Sequence, residues 1–146
     1  DIDCYIPKSY IRDDNLRLDL YRRMNRCNEM EELTKIRQEV TDRFGNIPNE
    51  MDVVFLFFEM NMLAKQLGIQ QIFMRKDKLQ IHFSPTQSPK PQQLKNLMEK
   101  VNPICEFKAV PSLHLHLDFV KNKIDNSGGK FSFTKKILQA MSNGRL

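Results

Sequence analysis

Ile69-Gln70-Gln71-Ile72-Phe73-Met74-Arg75-Lys76-Asp77-Lys78-Leu79-Gln80-Ile81-His82-Phe83 is where this chain changes its repeat. Upstream, apolar residues recur every three or four positions; from Ile69 the period is two. Leu79, Ile81 and Phe83 alternate with Gln80 and His82, which gives a strand one apolar and one polar side. Ile72 and Met74 lead into the polar turn Arg75-Lys76-Asp77-Lys78, so the stretch reads as a hairpin.

Downstream, 84–91 holds three prolines and reads as a loop. A helix over about 92–101 turns Leu94, Leu97, Met98 and Val101 inward. Residues 104–110 form a third strand candidate. Leu113, Leu115, Leu117 and Phe119 alternate with His114, His116 and Asp118 in a fourth. Ser127-Gly128-Gly129 reads as a flexible turn, and a last helix over about 134–141 buries Ile137, Leu138 and Met141.

Upstream, 1–10 reads as extended, with Pro7 as a local stop. Asp14 or Asn15 is placed to cap a first helix carrying Leu16, Leu20 and Met24, with Arg17, Arg22, Arg23 and Arg26 largely on its other side. It ends near Cys27. A second helix starts from Asn28, with Glu31 in capping-box position, and buries Leu33, Ile36, Val40 and Phe44. Glu31 with Lys35 and Glu39 with Arg43 are spaced as i,i+4 ion pairs. Gly45 fits a left-handed cap and Pro48 forbids continuation. A third helix, capped by Asn49, runs to about Leu67 and is apolar on all sides in its middle; Gly68 closes it. The fold class is α+β: an N-terminal helical hairpin and long central helix packed on an antiparallel sheet of about four strands with two further helices.

Forty per cent apolar residues in 146 supply a core. The longest apolar run, 53–58, is far too short to span a membrane. No basic start followed by an apolar stretch marks a secretory signal, and Asp1 in place of Met reads as a piece cut from a longer protein. Cys4, Cys27 and Cys105 are scattered, odd in number and read as inert thiols of a reducing cytosol. The net charge of +5 is unevenly spread. Residues 1–69 hold thirteen acidic and ten basic residues, seven of the latter Arg; residues 70–146 hold five acidic and thirteen basic, eleven of them Lys. Planar Arg suits specific pairing, and hydrated Lys suits a solvated surface.

Signals of chemistry are sparse. His114, His116 and Asp118 share a strand face where a metal is imaginable, but a wet strand face explains them and no metal ligand is assigned. Gly128-Gly129-Lys130-Phe131-Ser132 resembles part of a phosphate loop, but Phe131 stands where Ser or Thr is needed. No catalytic or cofactor-binding residue is assigned. The basic second part raises the alternative of a nucleic-acid-binding appendage, although its lysines are dispersed and not interleaved with aromatic residues. The remaining feature is Glu39, Asp42 and Arg43, which fall opposite the buried stripe of the second helix and suit docking to a partner protein.

Ile6-Pro7-x-x-Tyr10-Ile11-x-Asp13, Arg17-Leu18-x-Leu20-Tyr21-Arg22-Arg23, Glu31-Glu32-Leu33, Asp42-Arg43-Phe44-Gly45-x-x-Pro48 and Ala64-x-x-Leu67-Gly68-Ile69 together resemble the C-terminal domain of bacterial transcription-repair coupling factor. The match in order and spacing covers about 6–69; beyond it only the order of strands and helices agrees. The resemblance implies one regulatory C-terminal domain over 1–146, helical in 1–69 and sheet-containing in 70–146, from a larger, cytoplasmic, multidomain DNA translocase. It implies no enzyme and no cofactor in this piece, since ATP and Mg belong to motor domains upstream. It also implies docking on the N-terminal repair-helicase-like module of the same polypeptide. Docking there masks the surface that recruits the damage-recognition ATPase of excision repair, and it restrains the motor. The resemblance also implies RNA polymerase as an indirect partner, DNA binding through other domains, and no membrane. Glu39, Asp42 and Arg43 are the implied interdomain docking residues.

Overall fold

The computed structural model describes residues 4–109 and 112–142. Val110, expected at the end of the third strand, and residues 1–3 of the extended start lie outside the described residues. The fold is α+β, with five helices and a four-stranded antiparallel sheet among the described residues. The chain divides into two compact units, 3–62 and, for the remainder, essentially 63–146.

The first unit holds α1 (Asp14–Arg26), α2 (Met30–Phe44) and most of α3 (Asn49–Gln66). Asp13, one residue earlier than expected, caps α1 by accepting from the amides of Asn15 and Leu16. Leu20, Met24, Leu33, Ile36, Val40, Met51, Val54 and Phe55 form one buried cluster with Ile6 and Ile11 of the leading segment. Arg17, expected on the polar side of α1, is buried instead. Its guanidinium donates to the carbonyls of Ile11 (2.6 Å) and Arg12 (3.1 Å) and pairs with Asp14. The Tyr21 hydroxyl accepts from the Ile6 amide at 2.6 Å. The leading segment is therefore tied to α1 by two side chains of that helix. The second helix begins at Met30, after Glu29, without the capping box expected at Asn28. Asn49 is the first residue of α3 rather than its cap; the Pro48 carbonyl accepts from Met51 and Asp52.

The second unit holds β1 (Ile69–Met74), β2 (Lys78–Phe83), α4 (Pro91–Lys100), β3 (Cys105–Lys108), β4 (His114–Asp118) and α5 (Ser127–Met141). The sheet order is β1-β2-β4-β3. Leu79, Ile81, Phe83, Leu115 and Leu117 point to the buried face, and Gln80, His82, His114 and His116 to the other, which is partly open. Gly68 has φ +68°, as its helix-closing role requires. The helices α4 and α5 pack on one another, with Gln93 donating to the Met141 carbonyl at 2.9 Å. The glycine pair at 128–129 is not a turn. It lies in the first turn of α5, because Asn126 caps that helix by accepting from the Gly129 amide at 2.6 Å.

Candidate docking surface and a histidine cluster

The end of α2 is fixed from three sides. The Gly45 amide still donates to Thr41 at 2.9 Å, closing the last turn. Gly45 then takes φ +89° and ψ −164°, a combination essentially restricted to glycine, and the chain leaves in an extended direction. Tyr10 donates through its hydroxyl to the Gly45 carbonyl at 2.6 Å, and its ring lies tilted on Phe44 at 5.9 Å. Val40 is buried and Phe44 half-buried, so the helix has a definite rotation.

That rotation leaves Glu39, Asp42 and Arg43 exposed. They are not equivalent. Glu39 does not pair with Arg43, as its spacing suggests. Its carboxylate meets Arg23 of α1 at 2.6 Å, and the two side chains keep 43% and 39% of their exposure. Arg43 lies over its neighbour Phe44, 5.1 Å from the ring centroid. Asp42 makes no ion pair among the described residues. A second cross-link, Arg37 to Asp52 at 2.7 Å, ties α2 to α3, with the Arg37 guanidinium 4.3 Å above Phe55. The docking candidate is thus a rigid helix end that offers one unengaged carboxylate, one carboxylate shared with Arg23 and one guanidinium laid on an aromatic ring.

The other residues weighed in the sequence separate. His114 and His116 do lie together on the open face of β4, but Asp118 does not join them. It turns to the following bend and accepts from the amides of Val120 (2.8 Å) and Lys121 (3.1 Å). His82 of β2, which the alternation of that strand places on its polar face, completes the group instead. Burial, together with repulsion from His114 and His116, pulls His82 below the ordinary histidine range. Burial, then Lys108 and His114, does the same to His116, with Glu106 opposing.

Lys130 is buried inside α5, its ammonium 5.5 Å from the centre of the Phe119 ring, which removes it from any phosphate-binding role. The three cysteines are free thiols, and burial raises each of them: Cys4 to about 11, Cys105 by burial alone, and Cys27 by burial with help from Glu32. No helix among the described residues is long and apolar enough to cross a membrane.

The family model of the TRCF domain matches residues 1–94. The transcription-repair-coupling factor of Bacillus subtilis is 34% identical over 84 residues, which is 58% of this chain and 7% of that protein. That of Helicobacter pylori strain 26695 is 33% identical over 106 residues, 72% of this chain and 10% of that protein. The chain therefore spans about a tenth or less of the length of these relatives. A crystal structure of the C-terminal domain of transcription-repair coupling factor superposes with a TM-score of 0.84 at 16% identity, covering 99% of this chain and 89% of that one.

Proposed function

The chain belongs to the TRCF domain family, and from that premise we propose that it is a non-catalytic regulatory domain of a transcription-repair coupling factor that docks through the C-terminal end of α2. The partner is the N-terminal repair-helicase-like module of the same polypeptide. Docking covers the surface of that module which recruits the damage-recognition ATPase, and holds the motor in restraint.

The observation that carries this reading is Asp42. It stands exposed on the last turn of a helix whose rotation is fixed by Gly45, Tyr10 and Phe44, and no internal ion pair among the described residues engages it. Most of the other residues that carry the resemblance have work inside this unit. Ile6 and Ile11 are core, Asp13 caps α1, Arg17 and Tyr21 hold the leading segment, and Gly45 permits the turn. Asp42 has no such internal task. An unengaged carboxylate on the same exposed helix end as a shared carboxylate and a guanidinium presents charge of both signs, which favours register and selectivity over bulk affinity.

A coupling of roughly 1–3 kcal/mol shifts a closed–open balance about 5- to 150-fold. Release follows from any event, such as polymerase engagement, that favours the open state. The test uses the full-length parent. Reversing charge with Glu39→Lys and Asp42→Lys is expected to raise capture of the damage-recognition ATPase. Unchanged capture by a folded double variant contradicts masking by this helix end. Tight, steeply salt-dependent binding of duplex DNA by this chain supports the nucleic-acid appendage instead.

A further inference from the structure

The chain contains three histidines, and all three stand in one cluster on the open face of the sheet. His82 and His114 are direct partners in the β2–β4 register, and His116 lies two residues along β4, opposite Gln80. The rings of His82 and His114 stack at 3.7 Å with an interplanar angle of 5°. His116 lies 6.1 Å from His114 and 6.5 Å from His82, centroid to centroid. One ring nitrogen from each residue lies within 4.8 Å of the other two.

Two features set this apart from an ordinary polar strand face. Nε2 of His116 is shut off from solvent and has no hydrogen-bond partner, which is a cost that a bound ligand removes. The other two rings are held by neighbours: His82 Nε2 meets Gln80 Oε1 at 3.1 Å, and His114 Nε2 meets Ser112 Oγ at 3.4 Å. The Gln80 amide oxygen accepts, which puts the His82 proton on Nε2 and leaves Nδ1 as a lone-pair donor, whereas the Ser112 hydroxyl orients the His114 ring with either nitrogen protonated. Phe73 packs edge-on against His82 at 4.9 Å. Across β3, Glu106 is the register partner of His116 and Lys108 that of His114, so one carboxylate and one ammonium border the cluster.

We propose that His82, His114 and His116 bind one divalent transition-metal ion of the zinc class, with solvent completing its coordination. Imidazole nitrogen is the ligand type such ions share, and three histidines with an open fourth position is a known way to hold them. Tetrahedral ligation at the usual zinc–nitrogen distance places the donor atoms about 3.3 Å apart, so binding turns the His82 and His114 rings out of their parallel stack until their lone pairs converge. The bound ion clips β2 to β4 and satisfies the stranded nitrogen of His116.

The test uses tag-free protein, because added histidines bind the same ions. Calorimetric titration with zinc chloride is expected to show one ion per chain. His116→Gln is expected to weaken binding by more than about tenfold, and the triple variant H82Q/H114Q/H116Q to abolish it. Zinc is expected to raise the Tm of the wild type and not of the triple variant. Proton resonances of the three imidazoles give a readout on the wild type alone, and all three are expected to shift together at one equivalent of zinc. The absence of uptake at sub-millimolar zinc, uptake unaffected by the triple substitution, or imidazole resonances that stay in place overturns the site.

Discussion

The hydroxyl of Tyr10 donates to the carbonyl oxygen of Gly45 across 35 positions of sequence, at 2.6 Å. This one bond joins the leading segment to the end of α2 and fixes the point from which the docking charges project. Tyr10→Phe removes the donor and keeps the ring on Phe44. The expected loss is about 1 kcal/mol in chemical denaturation, the usual net worth of such a bond. Gly45→Ala meets no neighbour, since nothing lies within 4 Å of an added Cβ. Its cost is the backbone strain at φ +89° alone, on the order of 1–3 kcal/mol.

Arg17 tests how the leading segment is held. Arg17→Met keeps the stem but strands the carbonyl of Ile11 in a buried site. A loss of about 1–3 kcal/mol is expected in urea unfolding. A neutral result means that the leading segment does not depend on this guanidinium.

Glu39 and Asp42 are expected to separate in a stability measurement. Glu39→Ala breaks the 2.6 Å pair with Arg23. Both partners are more than a third exposed, so the loss is small, about 0.2–1 kcal/mol, and a double-mutant cycle with Arg23→Ala should return a coupling of that size. Asp42→Ala should leave unfolding within about 0.5 kcal/mol of wild type.

The cysteines give a pH-dependent readout. Burial raises Cys4 to about 11, so its reactive thiolate is scarce at pH 8 and accumulates only as the pH climbs toward that value. Alkylation of Cys4 at pH 8 is expected to run roughly a hundredfold slower than that of a free cysteine. It should match the free cysteine once the protein is unfolded. Because the folded value is raised, the neutral thiol is the form favoured by folding. Deprotonation above the ordinary thiol range therefore draws on stability, and the Cys4 contribution is lost as the pH rises toward 11.

Much of the fold was legible in the sequence because its signals are local. The period-two stretches became β1, β2 and β4, and Gly45, Gly68 and Pro48 mark helix limits where their backbone restrictions place them. Errors arose where a side chain outside the pattern decided the boundary. Asp13 took the cap from Asp14 or Asn15, and Asn126 drew the glycines at 128–129 into α5. The site was legible only in outline. Exposure of Glu39, Asp42 and Arg43 follows from the 3.6-residue period, but the pairing of Glu39 with Arg23 depends on how α1 and α2 cross, which no local signal encodes. His82 was missed for the same reason. Its alternation with Ile81 and Phe83 gave the face, but only the β2–β4 register places it opposite His114.

Docking through the end of α2 is tested most directly by titrating this chain, as wild type and as Asp42→Lys, into the isolated N-terminal module of its parent at several salt concentrations. Saturable binding that weakens with salt, and falls at least about fivefold in the variant while its unfolding curve stays in place, is the predicted result. Equal affinity for both proteins, or no binding by the wild type, contradicts it.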